Sequence, residues 1–282
     1  MEVIERTIEY TCPDKFPLYP LGDMHLGVIH CDENLLEAKV DEIKRQENAL
    51  WIGMGDYADL IVPSDFKRWE GKILASWMKD HMDNIGPTQV RKVDEILAPI
   101  WNKCIGLIEG GHDDSIRRYN HYDFMSELLL LANKKYKVPY GGVSCLIRLN
   151  FKRKNSNETH DYIIHARHGE GHARTSGARA LAVLRLAQVF INANITLMGH
   201  LHGQESPDIP ERLILKSGKI KSFETIATMT GAWLKAYMQG VPPCYLERWG
   251  SPPSTLGCPR IIIIPDRDQM ILEKSRTIRI LA

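Results

Sequence analysis

Short apolar runs that stop at glycine recur along the chain, with helical periods between them. Residues 2–10 alternate Val3, Ile4, Thr7, Ile8 and Tyr10 with charges, the period-two pattern of a half-buried strand. After a turn at Pro13-Asp14, Phe16 to Leu21 predicts a second strand ending at Gly22-Asp23. From Asn34 to Glu47, Leu35, Leu36, Ala38, Val40 and Ile43 fall at helical spacing among charges, which predicts an amphipathic helix. Ala49 to Met54 predicts a short strand ending at Gly55-Asp56. Helices are predicted over 66–82 and 88–104, broken at Ile85-Gly86-Pro87, and then a strand over Ile105 to Ile108 that runs into a Gly110-Gly111 loop.

The second half continues the rhythm. A helix is predicted over 121–135, and strands near 143–152 and 161–166 around the polar turn Lys154 to Glu158. Ser176 to Ile191 is a periodic helix, and Asn194 to Met198 a strand ending at Gly199-His200. The tail is β-rich, with strands near 211–216, 221–229, 260–264 and 269–274. The proline-rich segment Val241 to Pro259 reads as a long connection packed over the second sheet, or as a lid or dimer contact built on Trp233, Tyr237, Tyr245 and Trp249. Strand–loop–helix alternation followed by a β-rich tail argues an α/β fold with a second sheet on the first. No linker-like stretch divides residues 1–282, so a single domain is expected.

Composition narrows the partners. The 282 residues are 44% apolar and 25% charged, an ordinary globular balance. No apolar run approaches a membrane span, and MEVIERTIEY carries charge where a signal peptide needs an apolar core. A cytoplasmic location is expected. Cys12, Cys31, Cys104, Cys145, Cys244 and Cys258 contain no CxxC pair and read as free thiols of a reducing compartment. The net charge of +1 gives no global pull on nucleic acid.

The chemistry gathers at five strand ends: Gly22-Asp23-Met24-His25, Gly55-Asp56-Tyr57-Ala58-Asp59, Gly110-Gly111-His112-Asp113, His165-Ala166-Arg167-His168-Gly169 and Gly199-His200-Leu201-His202. In open α/β sheets, sites form where strands end in loops. Aspartates and histidines together suit Mn, Fe, Zn, Co or Ni better than Ca or Mg. Six or more ligands exceed one tetrahedral ion and fit two ions sharing a carboxylate. Arg117, Arg118, Arg167 and Arg174 flank these loops and are candidates for phosphate recognition. His30, His81, His121 and His160 read as surface or helix residues.

In this order the motifs resemble those of the calcineurin-like metallophosphoesterases, from Leu21 to His202. The stretch MTGAWLKAYMQG to LGCPRIIIIP is similar to the tail of phage- and prophage-type members. The resemblance implies a four-layer α/β/β/α sandwich of two mixed β-sheets flanked by helices. It implies two divalent transition metal ions, manganese foremost. Asp23, His25 and His202 would hold the first, His168 and His200 the second, with Asp56 bridging. His165 stays open as the alternative to His168. His112 would assist the leaving group during attack on phosphorus by a metal-bound hydroxide, with Asp113 behind it orienting the imidazole. Arg117 and Arg167 would bind substrate. The implied substrate is a phosphate ester: a phosphodiester such as nucleic acid or a nucleotide first, a monoester second.

One position departs from the pattern. The family carries a metal-ligating asparagine directly before its catalytic histidine, and this chain carries Gly111, natural or selected. The second ion loses a ligand and must take water, Asp113, Asp114, Glu170 or nothing, so weaker occupancy is expected. Two other readings follow. The chain could be a metal-binding or protein-interaction scaffold of the same fold, or a hydrolase that also accepts phosphotriesters or carboxyl esters.

Overall fold

Alternation along the strands sorts their side chains into layers. In the strand Phe16–Leu21 (β2), Phe16 and Leu18 face one apolar cluster, while Tyr19 and Leu21 face another. The next strand, Leu50–Gly53 (β3), repeats this, with Leu50 and Ile52 on the first side and Trp51 on the second. This computed structural model describes residues 1–209, 212–216 and 218–275. Residue 211, at the start of the strand expected near 211–216, and the last seven residues of the expected 1–282 unit lie outside them.

The remaining strands are Glu2–Tyr10 (β1), Cys104–Leu107 (β4), Ser144–Arg153 (β5), Thr159–Arg167 (β6), Ile195–Met198 (β7), Arg212–Lys216 (β8), Lys219–Phe223 (β9), Ile226–Met229 (β10), Arg260–Ile264 (β11) and Gln269–Glu273 (β12). The helices are Glu33–Arg45 (α1), Ile85–Leu97 (α2), Gly111–Asn120 (α3), Phe124–Asn133 (α4), Ser176–Ala187 (α5) and the short turn Tyr245–Arg248 (α6). Two five-stranded sheets form, ordered β1-β5-β6-β7-β10 and β12-β11-β2-β3-β4. Both are mixed. In the first, β1∥β5, β6∥β7 and β7∥β10 are parallel and β5–β6 antiparallel. In the second, β2, β3 and β4 run parallel beside the antiparallel β11 and β12. Strands β8 and β9 make a separate hairpin.

The sheets pack face to face through Phe16, Ile52, Ile147, Leu149, Ile164, Leu197 and Ile263. Helices α1, α2 and α4 cover the outer face of the second sheet through Leu36, Val93 and Leu128, beside Trp51. Helix α5 covers the outer face of the first through Val183, beside Met198 and Met229. This is the expected α/β sandwich of two mixed sheets flanked by helices.

Several local expectations fail. Residues 66–82 carry helically spaced Trp69, Ile73, Trp77 and Met78, yet they form loops and 3-10 turns over 71–73 and 76–84. Their backbone is drawn to the loop after β2: Ile29 N–H donates to Ile73 O at 2.8 Å, and Val28 bridges Leu74. Ile85-Gly86-Pro87 does not break a helix but begins α2, where proline in the first turn forfeits no intrahelical bond. The stretch expected as one strand over 221–229 divides into β9 and β10. Among the described residues no helix is long and apolar enough to cross a membrane.

Candidate metal centre

The C-terminal ends of β2, β3, β4, β6 and β7 deliver every sequence motif to one place. The loops after β2 and β3 are sewn together by Asp23 N–H to Gly55 O (2.9 Å) and by Met24 N–H to Asp56 O (2.9 Å). Gly110 lies against Asp56, and a Cβ there would run into the Asp56 backbone and carboxylate. Asp23, His25, Asp56, His200 and His202 all adopt left-handed φ, between 49° and 68°. Such backbone costs about 1–2 kcal/mol per non-glycine residue. Strain gathered on five of the six expected ligands is characteristic of a site imposed by the rest of the fold.

Three overlapping groups of ligand atoms result, each within 4.8 Å: Asp23, His25 and His202; Asp56, His168 and His200; and His25, Asp56 and His112. His168 Nε2 lies 3.0 Å from Asp56 Oδ2, and His202 Nε2 lies 3.3 Å from Asp23 Oδ1. His25 Nε2 and His202 Nε2 face each other at 3.1 Å. Ligand atoms on one transition metal ion are spaced by about 3 Å, as bond lengths near 2.1 Å require.

The hydrogen-bond pattern fits a metal as well. His168 Nδ1–H donates to Met54 O at 2.7 Å, which fixes the tautomer and leaves Nε2 to the cluster, where it has no aligned hydrogen-bond partner. His200 Nε2–H donates to Gly171 O at 3.0 Å and turns Nδ1 inward. His25 Nδ1 is buried without a partner. A backbone carbonyl on the far nitrogen is how metal-binding imidazoles are held.

Electrostatics point the same way. Burial opposes the Asp56 charge, but His168, His112 and His25 around it hold the carboxyl well below the usual range. Helix α3 adds to this: His112 N–H, at its first turn, donates to Asp56 Oδ1 at 2.8 Å. Burial, then His112 and His202, push the His25 imidazolium well below its ordinary range. Burial, then His168, also lower the pKa of His200. His25 and His200 are thus held neutral, as ligation needs. His168 differs: burial opposes its charge, but Asp56 outweighs burial and raises its pKa to about 10, so an ion taking Nε2 would displace a proton there.

His168, not His165, joins the cluster. His165 points away, with Nε2 3.3 Å from Ser144 Oγ and its ring against Phe190. Burial lowers its pKa to about 4. The folded state therefore resists a proton that the unfolded chain accepts below about 6.5. Stability is expected to fall as pH drops from about 6.5 towards 4, and His165→Gln should lose less over that window in urea melts. Equal slopes for the two proteins would contradict the assignment.

Other residues lie differently from expectation. His112 stands at the start of α3, a helix where a loop was expected, and its ring is held by Asp59: Nδ1–H donates to Asp59 O at 2.5 Å, and Asp59 Oδ1 is 3.8 Å away. Asp113, expected behind that ring, instead accepts from the N–H groups of Asp56 (2.8 Å), Tyr57 (3.2 Å) and Gly110 (2.8 Å). It ties the β3 loop to the β4 loop, and burial and the Asp56 charge push its pKa up to about 7. Asp59 closes the second motif and is no expected ligand; its hold on His112 runs through its backbone oxygen, a contact the motif does not announce.

Gly111 is exposed, and a Cβ there would meet nothing within 4 Å. No steric demand keeps this position glycine. None of the three expected carboxylates is free to replace the missing asparagine. Asp113 is engaged with backbone, Asp114 pairs with Arg117 and Arg118, and Glu170 pairs with Arg167 at 3.3 Å.

Arg117 and Arg167 do not line the cavity beside the cluster; they are spent on those pairs and on Glu109. The cavity, of about 440 Å³, has Lys67 and Arg174 at its wall instead, neither with an ion-pair partner among the described residues. The proline-rich segment supplies the opposite wall. Tyr245 Oη lies 3.0 Å from His202 Nε2, and Trp249 packs edge-on against Tyr245 and His172. The expected surface position of His30 is also wrong: it is buried, beside this segment.

No protein-family model matches the chain, and no curated protein matches it. Among solved structures, the NAD nucleotidase NadN of Haemophilus influenzae aligns with 93% of this chain at 11% identity and a TM-score of 0.37. The chain spans about half the length of that protein, 49%.

Proposed function

We propose that the chain is a metal-dependent phosphoesterase with phosphodiesters, nucleotides or nucleic acid strands among them, as its first substrate class. The observation that carries this reading is the convergence of Asp23, His25, Asp56, His168, His200 and His202 around one ionised carboxylate, with the His112 ring beside them and a cationic cavity in front. The donor set fits two divalent ions, one held by Asp23, His25 and His202 and one by His168 and His200, with Asp56 common to both. When bound, such ions supply Lewis acidity: they acidify water and neutralise charge on phosphoryl oxygens.

The chain's own groups do the rest. Lys67 and Arg174 attract the phosphate to the cavity. Asp56 keeps its charge because α3 and the surrounding imidazoles stabilise it. His112, held at Nδ1 by Asp59, leaves Nε2 to hand a proton to the departing oxygen. Burial, Asp23 and Asp56 hold the Tyr245 phenol well above its usual range, so it stays protonated as a donor at the wall. The rings of Trp249 and His172 offer faces on which a nucleobase can stack, which favours nucleotide-like diesters over small monoesters.

The test is turnover of a chromogenic phosphodiester, monoester, phosphotriester and carboxyl ester side by side, with Mn²⁺, Co²⁺, Ni²⁺ and Zn²⁺. Diester hydrolysis fastest with Mn²⁺ is expected; no turnover of any ester with any ion would leave the scaffold reading, which Gly111 favours. The glycine has its own test. Open space at its Cβ admits asparagine without strain, so Gly111→Asn should tighten the weaker ion by on the order of 10-fold in metal titrations of chelator-stripped protein. Equal affinities would mean that the missing amide is not what weakens that position.

A further inference from the structure

A second group of ligand-type side chains lies outside the centre just described. One ring nitrogen of His30, Cys244 Sγ and a carboxylate oxygen of Glu247 fall within 4.8 Å of one another. His30 comes from the loop between β2 and α1 and is completely buried. Cys244 and Glu247 flank the first turn of α6 and so project to one side of it.

The hydrogen bonds in this group leave metal-facing atoms free. His30 Nε2 lies 2.9 Å from the Pro242 carbonyl oxygen, which can only accept, so the ring proton sits on Nε2. Nδ1 is then a bare lone pair, buried and without any donor. Glu247 Oε1 accepts from Cys244 N–H at 3.4 Å, and the Cys244 thiol also hydrogen-bonds the carboxylate, which fixes it beside the sulfur. An imidazole anchored to a carbonyl through its far nitrogen is the support that metal-ligating histidines receive. Around the group, Val28, Leu234, Ala236 and Leu246 form a dry shell.

We propose that His30, Cys244 and Glu247 form a structural zinc site, separate from the Asp56 centre, that clamps the proline-rich segment onto the loop after β2. One nitrogen, one thiolate and one carboxylate form a borderline set that favours Zn²⁺ over Mn²⁺ or Mg²⁺. Binding replaces the S–H bond of Cys244 with a Zn–S bond and releases the thiol proton to solvent. Lys235 N–H to His30 O at 2.8 Å and the Cys31–Leu234 bridge already hold the two strands of chain together at this point. The clamp fixes α6, and with it the Tyr245 and Trp249 wall of the cavity.

The test uses the full chain, stripped with chelator and titrated with Co²⁺. A near-ultraviolet thiolate-to-cobalt charge-transfer band is expected, with an intensity of about one thiolate-bound ion per chain, displaced by Zn²⁺. It should vanish in Cys244→Ser and weaken by on the order of 10-fold or more in affinity in His30→Gln, while Asp23→Asn/Asp56→Asn should retain it. The Asp56 centre has no thiol, so this band reports only the clamp and survives any failure of the phosphoesterase reading. Thermal melts by circular dichroism confirm that each variant is folded. No band in the wild type, or a band that persists in Cys244→Ser, overturns the proposal.

Discussion

Asp56→Asn is expected to lower kcat/KM for a phosphodiester by at least about 10³-fold and to remove most bound metal. The substitution keeps the size of the side chain and one oxygen, so His112 N–H retains its acceptor and the β3 loop its shape. What it removes is the buried negative charge that His168, His25 and α3 are arranged around. Two cations would not share a neutral amide as they would a carboxylate, and with the oxygen kept on His112 N–H the amide nitrogen would turn a donor towards His168 Nε2. Lewis-acid stabilisation of a phosphoryl transition state is worth several kcal/mol, and each 1.36 kcal/mol is tenfold in rate. Kinetics with a chromogenic diester and metal analysis on the same preparation check both halves. Full metal content with full activity would mean that Asp56 is not the shared ligand.

His112→Gln is expected to act differently. Metal content should be unchanged, since Asp23, His25, Asp56, His168, His200 and His202 remain. kcat should fall by about 10² to 10⁴-fold, the usual contribution of a positioned general acid. KM should move little. The loss should be large for an alkyl leaving group and small for p-nitrophenol, which departs without a proton. That leaving-group dependence separates proton donation from phosphate binding. Equal losses for the two substrates would assign His112 to binding alone.

The strand ends were legible because four of the five put glycine directly before a ligand-type residue and the fifth puts Gly169 directly after His168, and the folded chain places those loops along one edge of the two sheets. Helix α3 was hidden. Gly110-Gly111 reads as a loop, and only Ile116 gives its charged sequence an apolar face. Its cap is built by Asp113, three residues after Gly110, a spacing that could have announced the helix. The same spacing explains why Arg117 and Arg167 were misplaced: Asp114 stands three residues before one and Glu170 three after the other, and both pairs close on themselves. Arg174, a candidate from its place beside the His168 loop, lines the cavity, while Lys67 reaches it through loop geometry that periodicity does not encode. Residues 66–82 have helical spacing, but bridges to the loop after β2 override it.

The most direct measurement is an anomalous difference map from crystals soaked in Mn²⁺, collected at the manganese edge. Two peaks are expected on either side of the Asp56 carboxylate, about 3.5–4 Å apart, the one nearer His168 and His200 weaker because Gly111 offers no ligand. A map with no peak within coordinating distance of Asp56, at manganese concentrations that support turnover, would contradict the metal centre and the phosphoesterase reading built on it.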